Sequence, residues 1–154
     1  MISALATPAV YHGFSRLAAP AIDIWLAHRR RQGKEDKVRF AERLGRPGRA
    51  RPDGRLAWAH AASVGESLAV LPLAERLNAE GLNVLITSGT VTSARVLEKR
   101  LPAGMLHQFV PIDRPSAVRR FLDHWRPDMA IWVESELWPN LVLATATRAI
   151  PMAM

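Results

Sequence analysis

Residues 56–67 read LAWAHAASVGES, and they join a short apolar run to a segment with helical spacing. The run from Leu56 to His60 predicts a buried strand, and the small and polar residues after it predict a turn into a helix. Ser63 and Glu66 have the spacing of a capping box, in which the serine accepts a hydrogen bond from the third helical N–H and the glutamate reaches back. Glu66 is therefore either a helix cap or a carboxylate that faces a ligand.

Pro72 affects whether Glu66 is predicted to lie in a helix or in a loop. A helix that began at Ser63 would carry the proline past its first turn, where the missing N–H and the ring clash cost about 3 kcal/mol. We therefore expect the helix either to kink at the proline or to begin later, over residues 68–80. A later start would leave Gly65 and Glu66 in a loop beyond the strand, with the carboxylate free to face a ligand.

The alternation of strand and helix continues from this junction to the C-terminus. Strands are predicted at residues 56–60, 83–87, 105–110 and 129–133, and helices at 68–80, 93–101, 115–125 and 138–149. Four such units with short loops predict an α/β fold, with a parallel sheet covered by helices. Residues 150–154 look like the opening of a fifth strand, so we expect the chain to be the N-terminal part of something longer.

Composition excludes several classes of protein. The 154 residues are 49% hydrophobic and 23% charged, which is typical of a globular domain rather than a disordered or fibrous chain. Because there is no cysteine, a disulfide scaffold, a thiolate metal site and a cysteine nucleophile are all excluded. The histidines lack the spacing of metal ligands, and no glycine-rich nucleotide motif is present.

The net charge of +7 comes entirely from residues 29–55, which hold eleven basic and four acidic side chains. Such a block predicts either a solvated, partly flexible surface or a contact with phosphate groups. Anionic lipid and nucleic acid are the two sources of phosphate that this pattern leaves open.

The segment before this block, residues 1–28, is largely apolar but too interrupted for a clean transmembrane span. His12, Arg16 and Asp23 share one helical face, and apolar residues gather on the other, as in a helix that lies in a membrane interface. Pro8 and Pro20 predict breaks, so we expect a short, kinked amphipathic segment. The arginines that follow suit the anionic cytoplasmic leaflet. The alternative is a helix packed on this protein or on a partner.

Ligands of open parallel sheets bind beyond the carboxyl ends of the strands. That rule selects the stretches HAASVGE, TSGTVTS, VPIDRPS and VESELWPN. Glu66 follows the first predicted strand and Glu134 closes the fourth. Two carboxylates that converge on a groove can serve as a general base and as a stabiliser of positive charge in a sugar-transfer reaction. The alternative for Glu134 is a polar residue of a loop.

Four longer stretches carry a resemblance to a known family: HAASVGES, LITSGTVTSA, HQFVPIDRPSAVRRFLDHWRPD and VESELWPN, in this order. Together they resemble the N-terminal domain of the 3-deoxy-D-manno-octulosonic acid (Kdo) transferases, over about residues 30–154. The resemblance implies a Rossmann-like, acceptor-side domain at residues 56–154, which is the N-terminal half of a two-domain GT-B glycosyltransferase of the inverting kind. Residues 1–28 would then be a membrane-interacting segment and residues 29–55 a basic connecting segment. The family's second domain, which this chain lacks, is the main departure.

The resemblance also implies roles for individual residues. Glu66 corresponds to the proton acceptor, and Glu134 to the residue that stabilises the transition state. The residues expected to bind substrate lie in the first two stretches, at Ser63, Gly65, Ser88, Gly89 and Thr90.

Partners and location follow from the same resemblance. The acceptor would be the lipid A precursor, and the donor would be CMP-Kdo, bound mainly by the C-terminal domain. We expect an anionic membrane surface as a further partner, at the cytoplasmic face of the inner membrane. Nucleic acid, a metal ion and any other cofactor are not expected. The competing hypothesis is a non-catalytic basic module that binds membrane surfaces or nucleic acid.

Overall fold

The structure is a computed structural model, and it describes residues 13, 19–133 and 137–154. In that part of the chain the helices are α1 (Ala19–Arg31), α2 (Phe40–Arg43), α3 (Val64–Ala69), α4 (Leu71–Ala79), α5 (Val91–Arg100), α6 (Pro115–Trp125) and α7 (Pro139–Thr147). The strands are β1 (Leu56–Ala61), β2 (Asn83–Ser88), β3 (Leu106–Phe109), β4 (Met129–Val133) and β5 (Met152–Ala153).

The five strands form one parallel sheet in the order β3-β2-β1-β4-β5. Strand β1 lies at the centre, and all six of its residues are buried. Burial on both faces explains why its sequence is a nearly continuous apolar run rather than an alternation of polar and apolar residues.

Alternate residues of β1 point to opposite faces of the sheet, so the domain has two cores. Leu56 and Trp58 belong to the core formed with α6 and α7. Ala59 and Ala61 belong to the core formed with α4 and α5. Helices therefore cover both faces of a parallel sheet, and the predicted α/β, Rossmann-like fold is confirmed.

The segment after β1 differs from its prediction. The single helix predicted over residues 68–80 is two helices, α3 and α4, which meet at Val70. Pro72 lies in the first turn of α4, where its missing N–H removes no helical hydrogen bond. Gly65 and Glu66 consequently lie in the first turn of α3. Of the two alternatives, an interruption of the helix near the proline is confirmed, and a later start with Gly65 and Glu66 in a loop is wrong.

The basic block of residues 29–55 is partly folded onto the domain. Glu42 is buried, and its carboxylate accepts a hydrogen bond from the Phe109 N–H of edge strand β3 at 2.8 Å. Gly45, with φ of 72°, packs so closely on α6 that an added Cβ would lie 2.0 Å from the Ala117 carbonyl oxygen. The expectation of a solvated surface therefore applies only to part of this block.

Most of the predicted membrane-interacting segment, residues 1–12 and 14–18, lies outside the described residues. Helix α1 continues to Arg31, so the predicted boundary after residue 28 falls inside a helix. Leu26 is buried in a small cluster with Ile112 and Ala117. Among the residues that the structure describes, no helix has the length and apolar character needed to cross a membrane.

Candidate active site

Three loops leave the sheet side by side at the carboxyl ends of β1, β2 and β4. Strand β1 pairs with β2 on one side and with β4 on the other, where Ala61 lies opposite Val133. The loop after β2 lies against the loop after β1, because a Cβ added to Gly89 would be 3.7 Å from the Ala62 carbonyl oxygen. Three of the stretches selected from the sequence therefore leave neighbouring strands at one edge of the sheet.

Glu66 is half-buried and makes two hydrogen bonds with the residues just after β1. Its Oε2 accepts from the Ala62 N–H at 2.8 Å, and its Oε1 accepts from the Ser63 hydroxyl at 2.9 Å. Ser63 is the N-cap of α3, and its Oγ accepts from the Glu66 N–H at 3.2 Å. The capping interaction predicted from the spacing is confirmed, except that the glutamate reaches the Ala62 N–H instead of the Ser63 N–H.

Capping does not exclude chemistry at this carboxylate. A carboxylate that is oriented by hydrogen bonds is also a base, since a general base must be held within hydrogen-bond reach of the proton that it takes. Gly65 beside it is exposed, and among the residues that the structure describes an added Cβ would meet only the Ser63 Oγ, at 3.9 Å. These described neighbours therefore give no steric reason for a glycine at this position, whereas the close approach of a ligand would be one.

The loop after β2 presents two of its three predicted substrate-binding residues at the surface. Thr90 is exposed and is the N-cap of α5, because its Oγ1 accepts from the Ser93 N–H at 3.1 Å. Gly89 is partly exposed. Ser88, in contrast, is fully buried, and its Oγ lies 2.9 Å from the His107 Nε2. The hydroxyl of Ser88 is thus engaged inside the domain in this structure.

The second predicted catalytic carboxylate, Glu134, follows β4 in the sequence. Strand β4 ends at Val133, and Glu134, the next residue, lies outside the described residues together with residues 135 and 136. The description resumes at Leu137, ahead of α7. The role of Glu134 stays a prediction.

Asp113 and Asn140 pair at the start of α7, and no local pattern in the sequence predicts this pairing. Helix α7 begins with Pro139, which has no N–H, and its N-cap Trp138 makes no side-chain cap. Asp113 provides the cap instead: its Oδ2 accepts from the Asn140 N–H at 3.1 Å and its Oδ1 from the Leu141 N–H at 2.9 Å. These residues are 27 and 28 positions apart, so no local spacing pattern could have shown the contact.

His60 is a buried neighbour of the site, and the spacing of the histidines does not distinguish it. Its Nδ1 lies 3.0 Å from the Thr87 Oγ1. Burial lowers the pKa of His60 to about 4, although the hydrogen bond with Thr87 and the charge of Glu66 both oppose this shift. His60 is therefore neutral near pH 7 and is close enough to Glu66 to sense its charge.

Arg43 is another residue that the sequence could not single out among eleven basic ones. It is buried, and its Nη1 donates to the carbonyl oxygen of Val110, just beyond the carboxyl end of β3. Its guanidinium forms an ion pair with Glu35, with Nε and Oε2 3.3 Å apart. One cation of the basic block thus lies beside the same edge of the sheet as the candidate site.

No group of three or more histidine, cysteine, aspartate or glutamate side chains suited to a metal ion occurs in the described part of the chain.

A family model and three relatives all point to one family of known proteins. A sequence model of the 3-deoxy-D-manno-octulosonic-acid transferase (kdotransferase) family matches residues 38–154. A probable mitochondrial 3-deoxy-D-manno-octulosonic acid transferase of Arabidopsis thaliana is 40% identical over 147 residues, which are 94% of this chain and 33% of that protein. The 3-deoxy-D-manno-octulosonic acid transferase of Rickettsia bellii is 40% identical over 142 residues, 90% of this chain and 34% of the relative. That of Bordetella pertussis is 37% identical over 153 residues, 94% of this chain and 36% of the relative.

The chain thus spans about a third of the length of these relatives. The matched region includes the whole sheet and the loops that carry Glu66 and the predicted substrate-binding residues. The chain belongs to the 3-deoxy-D-manno-octulosonic-acid transferase (kdotransferase) family.

Proposed function

We propose that this chain forms the acceptor-side half of an inverting glycosyltransferase, which moves Kdo from CMP-Kdo to the lipid A precursor, lipid IVA, in lipopolysaccharide biosynthesis. The observation that carries the proposal is the placement of Glu66, a half-buried carboxylate oriented by two hydrogen bonds at the carboxyl end of the central strand. Membership of the family supports Kdo as the transferred sugar. The donor nucleotide would be bound mainly by a C-terminal domain of the kind that the longer relatives have room for.

The proposed chemistry needs a base because an acceptor hydroxyl is a weak nucleophile at neutral pH. As the hydroxyl oxygen forms its bond to the anomeric carbon of Kdo, the bond from that carbon to the phosphate oxygen of CMP breaks. Glu66 takes the hydroxyl proton. CMP leaves as a stable phosphate anion and needs no strong acid. Positive charge develops on the sugar ring, and we assign its stabilisation to Glu134.

The proposal also locates the protein at the cytoplasmic face of the inner membrane, with residues 1–28 in the interface. Two observations support this contact. Ile24 is 72% exposed and Trp25 is 51% exposed, although both are large apolar residues on α1. The last turn of the same helix is basic, with His28 and three arginines. Exposed apolar side chains followed by cations suit an anionic bilayer surface.

The transfer reaction is tested with a chimera, in which this chain replaces the matching third of the Bordetella pertussis relative. We expect the chimera to release CMP and to transfer Kdo to lipid IVA, and the 154-residue chain alone to do neither. Positioning donor and acceptor together supplies about 7 to 11 kcal/mol of such a barrier, and one domain holds only one of them. Transfer by the isolated chain would refute the two-domain assignment, and a folded but inactive chimera would refute the proposed function.

The competing hypothesis, a non-catalytic basic module, is separated by binding assays on the isolated chain. We expect the chain to bind anionic vesicles more tightly than neutral ones, with weaker binding as salt rises, since each basic residue near the surface contributes about 1 kcal/mol. Equal binding to both kinds of vesicle would remove the electrostatic part of the membrane contact. Tight, steeply salt-dependent binding to duplex DNA would favour a nucleic-acid module instead.

A further inference from the structure

A groove separates α1 from α2, with a volume of about 550 Å³. The residues of α1 that line it recur every three or four positions, so one face of the helix forms the wall. Leu26, Phe40 and Leu44 line it with apolar surface, and Phe40 and Leu44 pack on the cluster that buries Leu26. The groove is therefore built on the domain itself, and part of its wall suits a hydrocarbon chain.

The same groove is cationic. Arg30, Arg31 and Lys37 line it, and the Arg30 guanidinium lies over the Phe40 ring at 5.0 Å from its centre. Asp23 is the acidic residue that lines the groove, but its carboxylate forms an ion pair with Arg114 at 2.8 Å. The charge of Asp23 is thus balanced by an arginine from outside the groove.

The acidic side chains of the adjoining segment are also engaged elsewhere. Glu35 pairs with Arg29 at 2.7 Å and with Arg43 at 3.3 Å. Glu42 pairs with Arg39 at 2.9 Å. The carboxylate of Asp36 accepts from two backbone N–H groups at 2.8 Å.

The three cations that line the groove have no carboxylate partner in the described part of the chain. Among the residues that the structure describes, none of Arg30, Arg31 and Lys37 forms an ion pair. Like charges gathered around one concave surface repel each other, and a bound anion relieves that repulsion. A planar guanidinium also matches the oxygens of a phosphate group.

We propose that this groove holds one acidic phospholipid molecule, with its phosphate between Arg31 and Lys37 and an acyl chain along Phe40 and Leu44, which are the partly exposed apolar residues over the buried Leu26. A free phosphate would pair with the cations but would make no contact with the apolar wall. A neutral lipid would contact the apolar wall but would not neutralise the cations. The inference rests on the membrane contact proposed above and is independent of the transfer reaction. The basic block would then bind one lipid per chain at a defined site, instead of adsorbing non-specifically to an anionic surface.

The test uses the full 154-residue chain and a lipid that stays monomeric, so that adsorption to a bilayer does not contribute. Dihexanoyl phosphatidylglycerol is titrated below its critical micelle concentration by isothermal calorimetry, in parallel with dihexanoyl phosphatidylcholine and inorganic phosphate. We expect saturable binding of one phosphatidylglycerol per chain, with binding of each of the other two probes weaker by about tenfold or more.

A pair of double variants assigns the binding to the groove. Arg31→Gln with Lys37→Gln should weaken the binding of phosphatidylglycerol about tenfold or more. The control is Arg95→Gln with Arg100→Gln, which removes two exposed cations from α5 and should leave the affinity unchanged. Circular dichroism checks that both variants are folded.

Each other outcome contradicts the proposal in a distinct way. Absence of saturable binding would mean that the groove does not take up a lipid. Equal affinity for inorganic phosphate would reduce the site to an anion site without an acyl-chain contact. Equal weakening by the α5 variant would show a non-specific charge effect. None of these results depends on Kdo transfer, so a failure here leaves the proposed reaction to be judged by the chimera.

Discussion

Replacement of Glu66 by glutamine separates catalysis from capping, because the structure predicts different effects on turnover and on stability. Glutamine keeps one side-chain oxygen, so one of the two hydrogen bonds, from the Ala62 N–H or from the Ser63 hydroxyl, is lost or reversed. A hydrogen bond of this kind contributes about 0.5 to 1.5 kcal/mol. The N-cap bond from the Glu66 N–H to the Ser63 Oγ uses the backbone and is retained.

The expected loss of stability is therefore small, and the expected loss of activity is not. In a domain of this size about 1 kcal/mol shifts the melting temperature by about 2 to 4 °C. Removal of a general base lowers turnover by about 10² to 10⁴, which corresponds to about 3 to 5 kcal/mol in the barrier. An effect of that size on turnover per folded molecule cannot come from the lost cap.

Ser63→Ala is the matched comparison. It removes the oxygen that caps α3 and also the hydroxyl that donates to Glu66, at a cost of about 0.5 to 2 kcal/mol. If capping were the whole role of Glu66, this variant would be at least as harmful as Glu66→Gln by every measure. We expect the two variants to have similar melting temperatures, and Glu66→Gln to have at least tenfold lower turnover in the chimera. Equal turnover per folded molecule would refute the assignment of Glu66 as base.

Three further predictions follow from the same region. Gly65→Ala should keep or raise the melting temperature, because alanine is favoured over glycine in a helix by up to about 1 kcal/mol. The same change should lower kcat/KM in the chimera, because the added methyl group would obstruct the approach of the substrate. Unchanged activity would contradict a substrate contact at Gly65. Asp113→Asn removes one acceptor from the cap of α7 and should cost about 1 kcal/mol in urea unfolding, while an effect near zero would show that the cap is not needed. The folded-state pKa values of His60 and His107, lowered by burial to about 4 and about 3, are well below the unfolded value of 6.5. The unfolded chain therefore binds more protons as the pH falls through 6.5, and the free energy of unfolding should fall by about 3 kcal/mol between pH 7.5 and 5.5. A flat profile would mean that these histidines are not buried in solution.

The sheet and most helices could be predicted because their signals are local. Helix α6 begins at Pro115 and ends at Trp125, as its proline and its apolar spacing predict. Strand β4 also has its predicted bounds, Met129–Val133. A short apolar run between turn residues defines a buried strand without any knowledge of its neighbours.

The parts that could not be predicted depend on contacts between distant segments. Nothing in the sequence shows that Glu42 of the basic block accepts the Phe109 N–H at the end of β3, 67 residues away. The cap that Asp113 gives to α7 is of the same kind. The break at Val70 is a nearer case, since Pro72 predicted an interruption but could not show that a separate helix precedes it.

The capping role of Glu66 and its proposed catalytic role are compatible, so the same residues can form both a capping box and a catalytic motif. A general base must be held in one orientation, within reach of the acceptor hydroxyl, before the reaction begins. The hydrogen bonds from the Ala62 N–H and the Ser63 hydroxyl provide that orientation, and they exist because α3 begins at Val64, three residues after β1 ends. The first turn of a helix that follows a central strand therefore orients a carboxylate and places it at the edge of the sheet where ligands bind. In the proposed reaction the capping interaction positions Glu66 as the base, and we expect a change that weakens the cap without touching Glu66 to lower activity only through the orientation of its carboxylate.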